Sequence, residues 1–236
     1  MQTFTRRGFA LGTVLILALS AAACGDNEPE QRKAFMSFLQ TRIVDKSGVH
    51  IPKLTDEEKK SFGPYVDHYA VIPGFSDNPE LLDIAKKMQQ ATQTVGLTSV
   101  QALIDHRKDL KDVGDYLAKA QEVMARELTK TNAARAALKQ PDDLKAVFDK
   151  AFDKDVTIPA RGFIETMPIV VDIANAALKL VDYIESHRAT VNVSARSVGG
   201  KDPQTAKDLE VLVKDLQRLN TPFEAARRRM NAALNG

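Results

Sequence analysis

Between residues 31 and 236 the apolar positions recur at helical spacing almost without interruption. In "EQRKAFMSFLQTRIV" the side chains of Phe35, Phe38, Leu39 and Ile43 fall on one face of a helix, which "KSGVHIP" then breaks. In "LTDEEKKSF" Thr55 and Glu58 have the spacing of a capping box; Phe62, Tyr65, Val66 and Tyr69 suit the buried face beyond it. Gly63-Pro64 should kink or restart that helix, and "IPGFSDNP" reads as a loop. Asn78-Pro79-Glu80 opens the next helix, whose inward positions are Leu81, Leu82, Ile84, Ala85 and Met88.

The longest signal runs from Thr98 to about Gln140. Leu103, Leu110, Leu117, Met124 and Leu138 recur every seven residues, with Thr131 in the remaining slot. That period predicts one long helix of ~60 Å, or two shorter ones broken near Gly114 or Thr131. "PDDLKAVFDKAFDK" is a shorter amphipathic helix with Leu144, Val147, Phe148, Ala151 and Phe152 inward. The apolar stretch that follows carries Pro159 at its start and Pro168 within it, as one or two helices. "TVNVSARSVGG" alternates through Val191, Val193 and Ala195, which leaves Thr190–Val198 open between strand and frayed helix, ended by Gly199-Gly200. Lys201-Asp202-Pro203 starts a helix, and Thr221-Pro222-Phe223-Glu224 has the signals for a last one. The fold class expected is all-α: a mostly antiparallel helical bundle with one long central helix.

The first 23 residues follow a different pattern. Arg6 and Arg7 are basic, Phe9 to Leu19 is apolar, and Ser20 to Ala23 are small. This is the order of a secretory signal peptide, and the run is short against the roughly 20 residues of a membrane span; a retained anchor helix is the alternative. It ends at Cys24, the one cysteine in the chain. "SAAAC" resembles the lipobox of bacterial lipoproteins, in which the thiol takes a diacylglycerol, the chain is cut before the cysteine, and the new amine is acylated. Only a thiolate is nucleophilic enough for the first step. Several acyl chains, at roughly 0.8 kcal/mol per buried methylene, make a stable anchor. The resemblance implies that Gly25, followed by Asp26, directs the protein to the periplasmic face of the outer membrane rather than to the inner membrane. Thr5, Arg6, Arg7 and Phe9 also resemble a twin-arginine export signal, while two arginines serve the general secretory route equally well. The division expected is a signal peptide at 1–23, a polar tether at 24–30 and a single helical domain at 31–236.

Loss of the leader removes Arg6 and Arg7 and no acid, so Lys+Arg falls from 33 to match the 31 Asp+Glu. A neutral body offers no electrostatic case for nucleic acid. With its cysteine acylated the protein has no disulfide, and its stability must come from a core. No P-loop, nucleophile elbow, dinucleotide motif or metal-spaced histidine pair is present, so neither cofactor nor metal is expected. The polar candidates that remain are His68 beside Asp67, and the carboxylate pairs Asp142-Asp143, Asp149/Asp153 and Asp105/Asp109. Each fits acid–base or cation chemistry, or simply a solvated, ion-paired helix face. Arg227, Arg228 and Arg229 form the one basic run, suited to anionic lipid head groups or to a helix C-terminus. Tyr65, Tyr69 and Phe75 are candidates for an exposed partner surface or for the core.

"EQRKAFMSFLQ", "SFGPYVDHYAVI" and "ALKQPDDLKAVFDKAFDKDVTIPA" resemble the YiaF family of enterobacterial lipoproteins, an uncharacterised family. The resemblance covers the mature chain, most weakly after Thr190, and leaves out the signal peptide. It implies a lipoprotein with a periplasmic helical domain and assigns no catalytic residue. The function expected is a non-enzymatic binding or structural module of the envelope, held at the membrane by its lipid, with an envelope protein or peptidoglycan as partner. The alternatives are a lipid or small-molecule carrier with a pocket between helices, and an envelope hydrolase built on His68. Intact mass of the membrane-extracted protein checks the anchor. A chain starting at a diacylated and N-acylated Cys24 is expected, and Cys24→Ser should accumulate as an unlipidated precursor. A mature chain with another first residue and a free thiol would overturn the assignment.

Overall fold

The computed structural model describes residues 27–94, 99–194 and 197–235. Helix α1, Glu28–Leu39, takes Pro29 into its first turn, so Glu28 to Glu30, expected as tether, are already helical. It continues into a wide π-helical turn, Gln40–Val44, and its apolar face of Phe35, Phe38, Leu39 and Ile43 is buried as the spacing predicts. The capping box closes on both sides: the Glu58 N–H donates to Thr55 Oγ1 at 3.1 Å and the Thr55 N–H donates to the Glu58 carboxylate at 2.8 Å. Helix α2, Asp56–Phe62, stops at Gly63, and Pro64 begins α3, Tyr65–Tyr69.

The segment expected as a loop is a short helix, α4, Val71–Ser76. Pro73 sits in its first turn, where a missing N–H costs no helical bond, and burial of Ile72 and Phe75 outweighs the loop signal of Pro73-Gly74. Tyr65, Tyr69 and Phe75 are buried as well, so they form no exposed surface. They join Phe35, Phe38 and Phe62 in an aromatic cluster. Ring centroids lie 5.3 Å apart for Phe35–Phe62, 5.1 Å for Phe38–Phe62 and 5.4 Å for the edge-on pair Phe38–Tyr69.

Asn78 caps α5, Pro79–Thr94, through its Oδ1, which accepts from the Glu80 and Leu81 N–H groups at 2.9 and 3.3 Å. Leu81 and Ile84 point inward, whereas Leu82 and Ala85, expected beside them, are exposed. The long helix is divided, but at neither place expected: α6, Val100–Asp105, and α7, Arg107–Ala137, meet at His106, whose backbone leaves the helical region while its ring bonds Asp109 at 2.9 Å. Gly114 continues α7 and lies against the methyl of Ala174. Leu110, Leu117, Ala120, Val123 and Leu128 carry the buried stripe.

Helix α8, Asp142–Phe152, a second π-helical turn, Asp153–Thr157, and α9, Ile158–Ser186, form one unbroken helical path. Its contour is roughly 65 Å. Pro168 lies inside α9 and has no N–H for the Ile164 carbonyl one turn back; Gln121 of α7 supplies it, its Nε2–H donating to Ile164 O at 3.0 Å. Two short strands follow, β1 Val191–Val193 and β2 Val198–Gly200, paired antiparallel with Val191 opposite Gly200. The alternating stretch is therefore a hairpin, and Gly199-Gly200 belong to its second strand instead of ending it. A Cβ on Gly200 would stand 2.2 Å from the backbone of α10, so only glycine admits that approach.

Helix α10 runs from Pro203 to Asn235 without the restart expected at Thr221-Pro222. Pro222 and Arg218, whose carbonyl it leaves without a donor, are both exposed to water, while Phe223 and Ala226 keep the inward stripe going. At its end Leu234 O accepts from the Val49 N–H at 3.1 Å, over Gly48 in the left-handed conformation.

Helix α9 lies between α7 and α10, Pro203–Asn235, and runs antiparallel to both. Arg107 Nε donates to Asp182 at 2.6 Å at one end of α7, and Gln121 meets Ile164 farther along; Tyr183 OH donates to Asp208 at 3.1 Å between α9 and α10. The architecture is all-α: an antiparallel helical shaft with an aromatic lobe of α1 to α4 and α8 at one end and a small hairpin at the other. The lobe core centres on Phe35, Phe148 and Phe152, and a second core of Leu180, Ile184, Val191 and Leu209 sits under the hairpin. No helix among the described residues is long and apolar enough to cross a membrane.

Gln121→Ala should destabilise the fold by about 1–2 kcal/mol, because the Ile164 carbonyl loses its only donor. In a Pro168→Ala background, where the helix supplies its own N–H, the same change should cost close to nothing. Thermal or urea unfolding of the four proteins checks the cycle; equal costs in both backgrounds would refute it.

Candidate functional site

Arg6, Arg7, Phe9, Cys24, Gly25 and Asp26 lie outside the described residues. Arg227, Arg228 and Arg229 are exposed on the last turns of α10. Arg227 is held by Glu224 at 2.7 Å, and Arg228 and Arg229 carry no ion pair among the described residues. They do not meet the start of α1: α10 ends against Gly48 and Val49, beyond the far end of α1 from Glu28.

His68 is half-buried. Burial pushes its pKa down against the opposing charge of Asp67. Its Nδ1 meets the Gln140 amide at 3.2 Å and its ring meets the edge of Tyr65, so its partners are an amide and an arene, not a carboxylate or a hydroxyl nucleophile. Tyr65 in turn donates to Glu28; burial first, then that carboxylate, raises the phenol to about 12. Every acid of the carboxylate pairs but the exposed Asp142 meets a cation, a ring nitrogen or an N–H donor. Asp149 and Asp153 hold Arg135, at 3.6 and 2.8 Å, with its guanidinium over the Phe152 ring. Asp143 takes Arg32 at 3.2 Å and the Leu144 N–H at 2.8 Å. Asp105 accepts from Gln101 at 2.8 Å. Among the described residues no three of His, Cys, Asp and Glu converge as a metal would need.

Sequence reasoning missed the most buried carboxylate. The two π-helical turns pack against each other, and the second turns three consecutive residues, Asp155, Val156 and Thr157, inward. Lys154 Nζ donates to the carbonyls of Ile43 at 2.7 Å, Val44 at 3.1 Å and Lys46, closing the C-terminal end of the first turn with a positive charge. Asp155 is 4 % exposed; its Oδ1 accepts from the His50 N–H at 3.1 Å and its Oδ2 has no partner. Two residues on, Pro52 O accepts from the Tyr69 hydroxyl at 2.5 Å. Residues 49–52 are thus fastened by α10, by the second π-turn and by α3 at successive positions. The sequence signal was present in "KDVTIPA", an acid set directly against an apolar run, but the wide turn that buries it has no signature of its own.

Burial raises the Asp155 pKa, and the His50 N–H and the Lys154 charge oppose this without cancelling it. A carboxyl with a raised folded pKa is held best when protonated. Its contribution is therefore full below about pH 4, the ordinary carboxylate value, and is lost as pH rises through the folded value. Asp155→Asn removes that loss, so the variant should gain stability relative to the parent between acid and neutral pH. Melting temperatures of both proteins across that range check it; a difference independent of pH would refute the buried-acid account.

The profile of a family described as "Protein of unknown function (DUF3053)" matches residues 12–231. That match begins at residue 12, so the likeness reaches farther forward than the start at residue 24 that the sequence led us to expect. The uncharacterized protein YiaF of Escherichia coli strain K12 is 31% identical over 226 residues, covering 93% of each chain, and the YiaF proteins of Escherichia coli O157:H7 and Shigella flexneri match to the same extent. No solved structure matches this chain. The aromatic lobe, the fastened segment 49–52 and all of the shaft but the last turn of α10 fall within the matched residues, and the chain belongs to the DUF3053 family, with YiaF.

Proposed function

We propose that this protein is a bacterial envelope lipoprotein, anchored by a lipidated Cys24 at the periplasmic face of the outer membrane, that works as a non-enzymatic binding or structural module. The observation that carries the reading is the position of the one cysteine, directly after three alanines at the end of a basic-then-apolar leader. Gly25 in place of aspartate favours the outer membrane, and Arg6, Arg7 and Phe9 leave either export route open. Helix α1 begins at Glu28, so Gly25 to Asn27 give a reach of ~10 Å and hold the aromatic lobe beside the bilayer.

The site geometry favours contact over chemistry. The acids proposed for catalysis hold Arg135 and Arg32, and His68 faces an amide. The groove between α9 and α10 is open and lined by Asp172, Lys179, Asp215 and Arg218, unlike the enclosed apolar cavity of a carrier. The partner is an envelope protein or peptidoglycan, and Arg228 and Arg229 are free for anionic head groups, each adding ~1 kcal/mol near a charged surface.

Density-gradient separation of membranes tests the anchor's address, and in-cell crosslinking with mass spectrometry tests the module. The protein should band with the outer membrane and crosslink to a saturable envelope partner, and Cys24→Ser should leave that band. Recovery of the parent protein in the soluble periplasmic fraction would overturn the anchor; crosslinks that never saturate would overturn the binding role.

A further inference from the structure

Helix α9 is apolar almost all round in its middle. From Pro168 to Val181 its polar residues are Asp172, Asn175 and Lys179. Such a helix is normally buried on every side. Here Ile169, Val170, Val171, Ile173 and Leu178 are only half-buried, because α7 and α10 cover two flanks of a shaft with no further layer. The three polar residues mark the uncovered stripe, and with Ala176 they form one wall of an open groove of about 470 Å³ whose other wall is α10.

Two of the four charges along that groove, Asp172 and Lys179, are complementary under a half-turn; the other two, Asp215 near the axis and Arg218, pair with each other within the chain. Asp172 and Lys179 are exposed, stand two helical turns or ~10 Å apart, and neither has an ion pair among the described residues. Tyr183 meets Asp208 and Gly162 lies against Met230, so the level between Asn175 and Ala176 on α9 matches the level between Asp215 and Leu216 on α10. Leu212 and Leu219 line the groove at equal distances on either side of that level. A half-turn about an axis through it sends Asp172 onto Lys179 and Leu212 onto Leu219. The small side chain of Ala176 sits at the axis, where two helices approach closest.

We propose that this mid-shaft groove is the contact surface for a second copy of the chain, two shafts packing antiparallel about a two-fold axis between Asn175 and Ala176. Each Asp172 then faces the Lys179 of the other copy, twice per dimer, and Leu212 meets Leu219 between them. The pairing goes beyond the envelope role and does not depend on the anchor.

Sedimentation of the full-length protein at micromolar concentration tests it. The parent should be a dimer. Asp172→Lys and Lys179→Asp each set like charges opposite at both contacts and should each weaken association roughly tenfold. The double variant restores opposite charges across the axis and should recover the parent's dimer. Both positions are exposed, so all variants should keep the parent's helicity and melting temperature, which separates lost pairing from lost folding. A monomeric parent, single variants that dimerise unchanged, or a double variant as weak as the singles would each overturn the proposal, and a parent that instead captures a different envelope helix as a one-to-one complex would do the same.

Discussion

Everything in this molecule is hung on the helical path from Asp142 to Ser186. Its first part packs α1 through Phe148 and Phe152, its wide turn reaches residues 43–50 through Lys154 and Asp155, and its last part is the common neighbour of α7 and α10. A path that long with a proline in it should bend or fray. The freed carbonyl of Ile164 is taken by a side chain of a different helix, so the continuity of the path is a tertiary property and not a local one. The same dependence appears at the hairpin, which exists because Gly200 lets α10 start against it.

The cluster between the two wide turns couples the ends of the chain. Lys154 satisfies carbonyls that a helix end leaves open, while Asp155 is buried with half of its hydrogen-bonding capacity unused. A buried acid in that state is a poor contributor to stability, and its hydrogen bond to His50 serves to fix the position of the segment that α10 closes over. Glu127 is the milder counterpart, buried but met by Arg126 at 3.1 Å and Asn78 at 2.9 Å.

Local chemistry was legible in the sequence. The capping box at Thr55, the Asn78 cap and the inward face of α8 depend on residues three or four apart, and all three stand as the spacing predicts. Gly63-Pro64 does end one helix and start the next, whereas Pro73-Gly74 and Thr221-Pro222 do not interrupt theirs. Pro73-Gly74 lie in a helix because Ile72 and Phe75 have a core to enter; Pro222 is carried through because its orphaned carbonyl faces water. The break that divides the long helix, at His106, has neither residue and is marked by a ring bonding an acid three positions on. The candidate surfaces divide the same way. Cys24 announces itself within five residues, whereas the balance of Asp172 against Lys179 acquires meaning only once α10 is laid beside α9.

The bond between Val49 and Leu234 joins the start of the domain to its last turn. A chain passed through a membrane as an extended thread delivers residues 49–52 early and the helix end that fastens Val49 last. For that interval the Val49 N–H has emerged before its acceptor at Leu234, and loop closure over so many residues is slow. Such a chain needs protection on the far side of the membrane while it waits, whereas a chain folded before export crosses with the seal already made.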